Sequence, residues 1–155
     1  DNPSIEFPNE SNLTIREGKD RKTKYFFADP SVIVSPPEKS IQLPTEDVCF
    51  KLDSTQLQSL LKASAVYQLP DLVAVGEAGV VKLVVRDKKN DTSNEYSINV
   101  GQTDQEFNFN FKVENIKILP GTYEVVISQK LLARFVNTSF NLTYFIALEP
   151  DSTFG

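Results

Sequence analysis

Histidine is absent from this 155-residue chain, and Cys49 is its only cysteine. Without histidine the chain can form neither a histidine-based catalytic triad nor a histidine metal site. A single cysteine also excludes an intramolecular disulfide and a thiolate zinc site. Cys49 lies in the apolar run Val48-Cys49-Phe50, which predicts a buried and unreactive thiol. We therefore expect no metal and no cofactor.

The sequence also lacks the motifs of phosphate-binding loops and of membrane proteins. Neither G-x-x-x-x-G-K-[ST] nor G-x-G-x-x-G occurs. No apolar stretch approaches the roughly 18 residues that span a membrane, and no signal-peptide pattern opens the chain. Paired carboxylates occur at Asp87 and Asp91 and at Glu149 and Asp151, but polar loop sequence surrounds them, which favours solvated surface charge. We predict a protein that is not an enzyme and has no membrane partner.

The charge balance and the sequons leave one alternative open. The net charge of −5 argues against a conventional DNA-binding domain, because phosphate neutralisation supplies most DNA affinity. Five Asn-x-Ser/Thr sequons would be glycosylation sites in a secreted protein. They lie at Asn9, Asn12, Asn90, Asn137 and Asn141. They permit a secreted or virion-surface all-β adhesion module, although a chain rich in these residues also forms sequons by chance.

The first third of the chain predicts a hairpin followed by an extended segment. Residues 12–17 and 22–28 are typical of two strands, with Gly18 and Asp20 in the turn between them. Residues 29–45 hold four of the nine prolines, which favours extended backbone. Because the chain opens with aspartate rather than methionine, we interpret it as a fragment or a processed product.

The main body begins with a strand and an amphipathic helix. Alternating apolar residues over 48–52 predict the strand. Asp53 is a helix N-cap candidate with Gln56 as its capping-box partner, and Pro70 ends a helix that runs to about Gln68. The buried face of this helix is predicted to hold Leu57, Leu60, Leu61 and Ser64. The opposite face, which has no carboxylate, holds Thr55, Gln58, Ser59, Lys62 and Val66.

The rest of the chain predicts strands and one short second helix. Apolar alternation indicates strands at 72–75, 79–85, 96–100, 106–111, 123–128, 131–136 and 140–148. A helix of two turns fits residues 112–119, before Pro120-Gly121. Strand, helix and three strands therefore occur twice. This order predicts an α+β domain with two-fold pseudo-symmetry, and the long helix separates it from the adhesion alternative.

Four segments, in order, resemble the sliding clamps of T-even-type bacteriophages. They are Ala28-Asp29-Pro30-Ser31, residues 57–64, Phe107-Asn108-Phe109 with residues 117–121, and residues 147–153. The resemblance implies the DNA-clamp fold, in which antiparallel sheets back two helices. It also implies three parts: residues 1–30 as the tail of a first clamp domain, 31–45 as an interdomain connector, and 46–155 as a complete second domain.

The resemblance implies a function that involves no catalysis. A clamp is a DNA polymerase processivity factor, which when full length encircles duplex DNA as a homotrimeric ring and tethers the polymerase through a hydrophobic peptide-docking pocket. The implied partners are duplex DNA, the phage DNA polymerase, the clamp loader and, as further candidates, phage late-transcription factors. The implied location is the cytoplasm of the infected bacterial host.

Two sets of site residues follow from the resemblance. Weak contacts to the DNA backbone are expected from lysines on or near the hole, namely Lys51, Lys62, Lys88, Lys89, Lys112 and Lys117. The docking pocket is expected at Val34, Leu43, Leu131, Leu132, Ala147, Leu148 and Pro150. For Leu131 and Leu132, packing in the core is an equally good interpretation.

Overall fold

The structure is a computed structural model that describes residues 2–35 and 40–155. It divides into two units, which end at Ser40 and Gly155, so their boundary lies within the predicted connector, 31–45. Residues 36–39 of that connector lie outside the described residues. Among the described residues, no helix combines the length and apolar character that crossing a membrane requires.

The first unit is a three-stranded antiparallel sheet in the order β1-β2-β3. Its strands are β1 (Ser4–Asn9), β2 (Asn12–Glu17) and β3 (Arg21–Phe26). The predicted hairpin is confirmed as β2 and β3. Strand β1 was not predicted, because it contains Pro8 and its pairing with β2 is irregular between Glu6 and Asn9. Proline is tolerated there because β1 lies at the sheet edge.

The second unit contains one α-helix and nine strands. They are β4 (Val48–Leu52), α1 (Ser54–Tyr67), β5 (Asp71–Glu77), β6 (Val80–Arg86), β7 (Tyr96–Gln102), β8 (Phe107–Lys112), β9 (Tyr123–Ser128), β10 (Leu132–Asn137), β11 (Thr143–Ala147) and β12 (Thr153–Phe154). All the strands predicted between residues 48 and 148 are confirmed in order. Only the two-residue β12 was missed.

Helix α1 confirms the predicted capping box. The amide of Gln56 donates to Asp53 Oδ1 at 2.8 Å, and the amide of Asp53 donates to Gln56 Oε1 at 3.0 Å. These bonds satisfy amides that the first helical turn leaves free. The helix ends at Gln68, whose φ of 56° is left-handed. Its buried residues are Leu57, Leu60 and Ser64, and Leu61 packs against the core.

The second helical element is shorter than predicted. Instead of two α-helical turns within 112–119, the structure has one 3-10 turn, Val113–Asn115. Lys112 stands at its N-cap and provides no side-chain hydrogen bond. Helix nucleation is costly, and two β-branched isoleucines followed by Pro120 leave too few residues to offset that cost.

The two sheets exchange strands between the two sequence repeats. One sheet has the order β11-β10-β9-β4, and the other has the order β12-β8-β5-β6-β7. Each sheet combines the three-strand meander of one repeat with the first strand of the other. The predicted strand–helix–three-strand repeat is therefore confirmed, with the 3-10 turn in the place of the second helix.

The core of the second unit lies between α1 and the inner faces of both sheets. Phe107, Phe109 and Phe111 alternate along β8 and all point inward, as the sequence predicts. The ring of Phe154 stacks on Phe109 with centroids 5.9 Å apart. This contact covers part of the aromatic cluster and explains why so short a strand as β12 is held in the sheet.

The predicted burial of Cys49 was wrong, because this residue is exposed. In β4 the side chains of Val48, Phe50 and Leu52 face the core, so strict alternation turns Cys49 outward. Its pKa is nevertheless raised, first by partial burial and then by the negative charge of Glu46. A raised pKa lowers the thiolate fraction and with it the reactivity of the thiol.

Candidate functional site

The outward face of α1 is exposed along its length. Thr55, Gln58, Lys62 and Val66 are exposed, and Ser59 is half-buried. The helix carries one lysine and no carboxylate, although the chain has 21 acidic residues. This surface does not repel phosphate, in contrast to the acidic balance of the whole chain.

The six predicted DNA-facing lysines separate into two groups. Four are exposed and form no ion pair among the described residues: Lys51, Lys62, Lys89 and Lys117. The other two, Lys88 and Lys112, are bound to carboxylates. A free ammonium group can approach a phosphate directly, whereas a paired one must first leave its partner.

Lys112 is paired with the buried carboxylate of Asp71. The two residues lie directly opposite each other on β8 and β5. The side chain of Asp71 is 1% exposed, and Lys112 Nζ donates to its Oδ1. This hydrogen bond is the main reason why the pKa of Lys112 is raised. Sequence reasoning missed Asp71, because no local pattern shows that these two residues face each other.

Most of the predicted docking residues meet at one end of β10 and β11. Leu132 pairs with Ala147 across the two strands, and both lie on the face turned away from the core. The amide of Leu148 donates to Leu131 O at 3.0 Å. Pro150 is exposed, two residues farther along. We call the predicted residues Leu43, Leu131, Leu132, Ala147 and Pro150 the docking surface. That this surface binds a partner, and that Leu43 and Pro150 lie beside the other three residues, stays a prediction.

The structure places Leu148 in the core of the second unit and Val34 in the first unit. Leu148 is 6% exposed and belongs to the core. Val34 lies in the first unit and is 93% exposed, so its place in the pocket stays a prediction. Leu131 also packs partly against the core, as the second interpretation of its sequence position allowed.

A polar network fixes the turn beside the docking surface. The hydroxyl of Thr45 lies 2.6 Å from that of the fully buried Ser128. Asp47 accepts hydrogen bonds from the Gln129 amide at 2.8 Å and from its Nε2 at 2.9 Å. These bonds hold the segment that follows Leu43 against the β9–β10 turn. Sequence reasoning missed this network because its members are more than 80 residues apart.

The β9–β10 turn also holds a strained residue. Leu131 has a φ of 63°, in the left-handed region that a leucine rarely adopts. The amide of Leu131 donates to Ser128 O at 3.1 Å, which closes the turn. Strain of this kind persists only where surrounding contacts over-determine the backbone, and it is common at ligand-binding positions.

Comparison with known proteins decides the family. The family described as gp45 sliding clamp, C terminal, matches residues 49–150. The chain belongs to the gp45 sliding-clamp family. The sliding clamp of Escherichia phage RB69 is 33% identical over 162 residues, covering 99% of this chain and 69% of that protein. The sliding clamp of Vibrio phage KVP40 is also 33% identical, over 96% of this chain and 69% of its own length.

The sliding clamp of Enterobacteria phage T4 is more distant, at 31% identity over 81% of this chain and 58% of that protein. A solved structure described as the C-terminal region of FEN-1 bound to A. fulgidus PCNA has the same fold. Its TM-score is 0.56 at 14% identity, covering 97% of this chain and 65% of that chain. The predicted clamp fold is thereby confirmed.

Sliding-clamp membership leaves the adhesion-module alternative without support. The helix that was to distinguish the two classes is present as α1. Two sequon asparagines, Asn12 and Asn137, are 2% and 4% exposed, so the folded chain does not present them to a glycosylating enzyme. Both side chains form hydrogen bonds within the fold: Asn12 Nδ2 donates to Asn9 Oδ1, and Asn137 Oδ1 accepts from the amides of Ser139 and Phe140.

Proposed function

We propose that the protein, when full length, acts as a DNA polymerase sliding clamp by closing into a homotrimeric ring around duplex DNA. The observation that carries the proposal is the exposed face of α1, which has no carboxylate in a chain of net charge −5. In a ring, such a face can line the hole and let the phosphate backbone slide past. The protein would act in the cytoplasm of the infected host and perform no chemistry of its own.

An edge strand and an apolar patch support ring closure. Strand β7 is an edge of the five-stranded sheet. Beside it, a cavity of about 340 Å³ is lined by Tyr96 and by the end of α1, where Val66 is 66% exposed and Tyr67 is 49% exposed. An open edge next to exposed apolar groups suits a head-to-tail contact with a second copy.

The deciding experiment tests whether DNA is held topologically. The phage clamp loader and ATP would place the protein on nicked circular DNA, and the DNA would then be linearised. We expect the protein to stay on circular DNA when the salt concentration is raised, and to slide off linear DNA through its ends. Equal retention on both forms would contradict a ring.

A charge-reversal pair tests the inward orientation of the helix. Changing Lys62→Glu and Lys117→Glu should lower retention on circular DNA and processive primer extension severalfold at low salt. Lys19→Glu with Lys22→Glu, two exposed residues of the first unit outside the predicted DNA-facing set, is the matched control with the same change of charge. Both variants should keep the wild-type melting temperature. Full processivity of the double variant at every salt concentration would refute the orientation.

We further propose that the docking surface binds a short apolar peptide from the phage DNA polymerase. The A. fulgidus PCNA of similar fold holds the C-terminal region of FEN-1, which suggests a carboxyl-terminal peptide. The clamp loader and late-transcription factors would use the same surface. A few apolar anchors in a small contact area are typical of such recognition.

Calorimetry with the carboxyl-terminal peptide of the polymerase tests this docking. Leu132→Asp should abolish binding, because an unpaired charge in a desolvated contact costs several kcal/mol. Val136→Asp is the matched control, since Val136 lies on the same face of β10 as Leu132 but four residues farther along the strand. Unchanged affinity in a folded Leu132→Asp protein would move the docking site elsewhere.

A further inference from the structure

The chain between the docking surface and β12 is a compact turn. We call Glu149–Ser152 the terminal turn. The Ser152 hydroxyl donates to Glu149 O at 2.8 Å, which closes the turn on itself. The Glu149 amide donates to Asn110 O at 2.8 Å, and the Asn110 amide donates to Ser152 Oγ at 2.9 Å. The turn therefore lies against β8 of the five-stranded sheet, although it follows β11 of the other sheet.

One lysine from a separate loop holds the outer side of this turn. Lys88 Nζ donates to both carboxylate oxygens of Asp151, at 2.9 Å and 2.7 Å. Asn110 Nδ2 contacts the same carboxylate at 3.3 Å. The side chain of Lys88 is 16% exposed and that of Asp151 is 55% exposed, so this ion pair is shielded from solvent on the lysine side only. These hydrogen bonds, chiefly that from Lys88, also lower the pKa of Asp151.

Lys88 is itself fixed at its backbone. Its amide donates to Oδ2 of the buried Asp71 at 3.1 Å, and the other oxygen of Asp71 binds Lys112. The position of the ammonium group is thus set from both ends of the residue. A side chain held at its base loses less conformational entropy when its tip forms an ion pair.

The neighbouring lysine has none of these contacts. Lys89 is exposed, and its amide bonds to the side chain of Asp87 within the same loop. The two lysines thus share a loop and a charge but differ in whether they hold the terminal turn. This difference gives a matched control for the role of Lys88.

We propose that Lys88 is a positioning residue of the docking surface, which holds Pro150 in place through Asp151. The proposal rests on the proposed docking function and assigns Lys88 to the partner side of the protein instead of the DNA side. Pro150 is exposed, and the residue after it carries the carboxylate that Lys88 binds. When Asp151 is released, the terminal turn loses its only charged anchor among the described residues, and Pro150 samples more positions.

Hydrogen exchange of the free protein is the first test, and it needs no ligand. The Glu149 amide reports on the terminal turn through its bond to Asn110 O. In Lys88→Gln this amide should exchange about fivefold faster. That factor corresponds to the largest stabilisation that a partly exposed ion pair usually contributes. Lys89→Gln should exchange like the wild type. Equal exchange in all three proteins overturns the proposal.

Calorimetry with the polymerase carboxyl-terminal peptide is the second test. Lys88→Gln and Asp151→Asn should each weaken binding about fivefold, and the double variant no more than either alone, because both remove one interaction. Lys88→Arg should restore most of the affinity, while Lys89→Gln should keep all of it. A simple loss of stability would not give this pattern of rescue and non-additivity.

The outcomes separate this proposal from the docking function. If Lys88→Gln binds the peptide as tightly as the wild type, the positioning role is overturned and docking stands. If the wild-type protein does not bind the peptide, the docking function is overturned and this inference falls with it. If Lys88→Gln instead loses DNA retention with unchanged peptide affinity, Lys88 belongs to the DNA side.

Discussion

Single residues carry backbone strain at three places in the described chain. Gln68, Ala78 and Leu131 have positive φ angles of 56°, 51° and 63°. Gln68 ends α1, where a left-handed residue is common. Leu131 closes the turn at the docking surface. Ala78 forms the two-residue β5–β6 turn with Gly79, whose φ is 83°, and its exposed side chain gains nothing from that conformation.

Changing Ala78→Asn should therefore stabilise the protein by about 0.5–1 kcal/mol. Two residues with positive φ favour Asn-Gly, because asparagine tolerates the left-handed region better than alanine does. Urea unfolding measures the gain. The same change at Ala65, an exposed position within α1, should lower stability by about 0.5 kcal/mol, since asparagine is the poorer helix former. If Ala78→Asn and Ala65→Asn both stabilise the protein, or both destabilise it, the positive φ at position 78 does not explain the effect.

Asp47 should contribute an acid-sensitive part of the stability. Burial alone would raise its pKa, but the hydrogen bonds from Thr45 and Gln129 outweigh burial and lower it. The charged form therefore stabilises the fold above the unfolded pKa of about 3.9, and this contribution is lost as pH falls through the lower folded value.

In Asp47→Asn we expect lower stability near neutral pH and a shallower loss of stability below about pH 4, where the wild-type carboxylate takes up its proton. Chemical denaturation at a series of pH values checks this. Asp91→Asn, at an exposed loop position, should leave the curve unchanged. The role of Asp47 is refuted if its variant follows the wild-type curve throughout.

At the scale of elements, the capping box should decide where α1 begins. Asp53→Ala removes the acceptor of the Gln56 amide and should cost about 1 kcal/mol of the free energy of unfolding. Thr55→Ala is the control. Thr55 is exposed and is the second residue of α1, so this change should be neutral or slightly stabilising. Thermal melts followed by circular dichroism compare the two. A loss in both variants alike would mean that helix propensity, not the cap, is responsible.

Elements with strong local signals could be predicted from the sequence, and weak ones could not. Asp53, Gln56 and the leucine face fix α1, and alternating phenylalanines fix β8. The second helix was overestimated because its N-cap and its β-branched residues are poor helix formers. Strand β12 is held by the contact of Phe154 with the aromatic cluster, which is tertiary and leaves no local pattern.

In the candidate site, too, features with a local sequence signal could be predicted and features that depend on tertiary contacts could not. The exposure of Lys62 follows from the periodicity of α1 and was indicated by the sequence. Lys117 was predicted to be exposed on the second helix, and it is exposed in the segment that follows the 3-10 turn. The pairing of Lys112 with Asp71 depends on strand register across 41 residues, and that of Lys88 with Asp151 on a separation of 63. Such pairs require the fold. The sequence therefore predicts which lysines are present, and the structure distinguishes those that are free.

For the whole molecule, the proposed ring makes Val66 a contact residue. In the full-length protein, Val66→Glu places a charge in the apolar patch beside β7 and should shift the proposed trimer toward single chains in sedimentation, with little change in the melting temperature because the side chain is 66% exposed. Thr55→Glu, at the other end of the same helix, is the control for assembly. Persistence of the trimer in Val66→Glu would place the subunit contact elsewhere.

The exchange of first strands between the two sheets has a consequence for how such a domain can be divided. Strand β4 pairs only with β9, and β8 joins the sheet formed by β5, β6 and β7. In a polypeptide with only one repeat, the first strand would have no sheet to join, because its pairing partner belongs to the other repeat. Two such halves would complete each other by strand swapping, so a symmetric dimer of short chains is a physically sound ancestor of this domain.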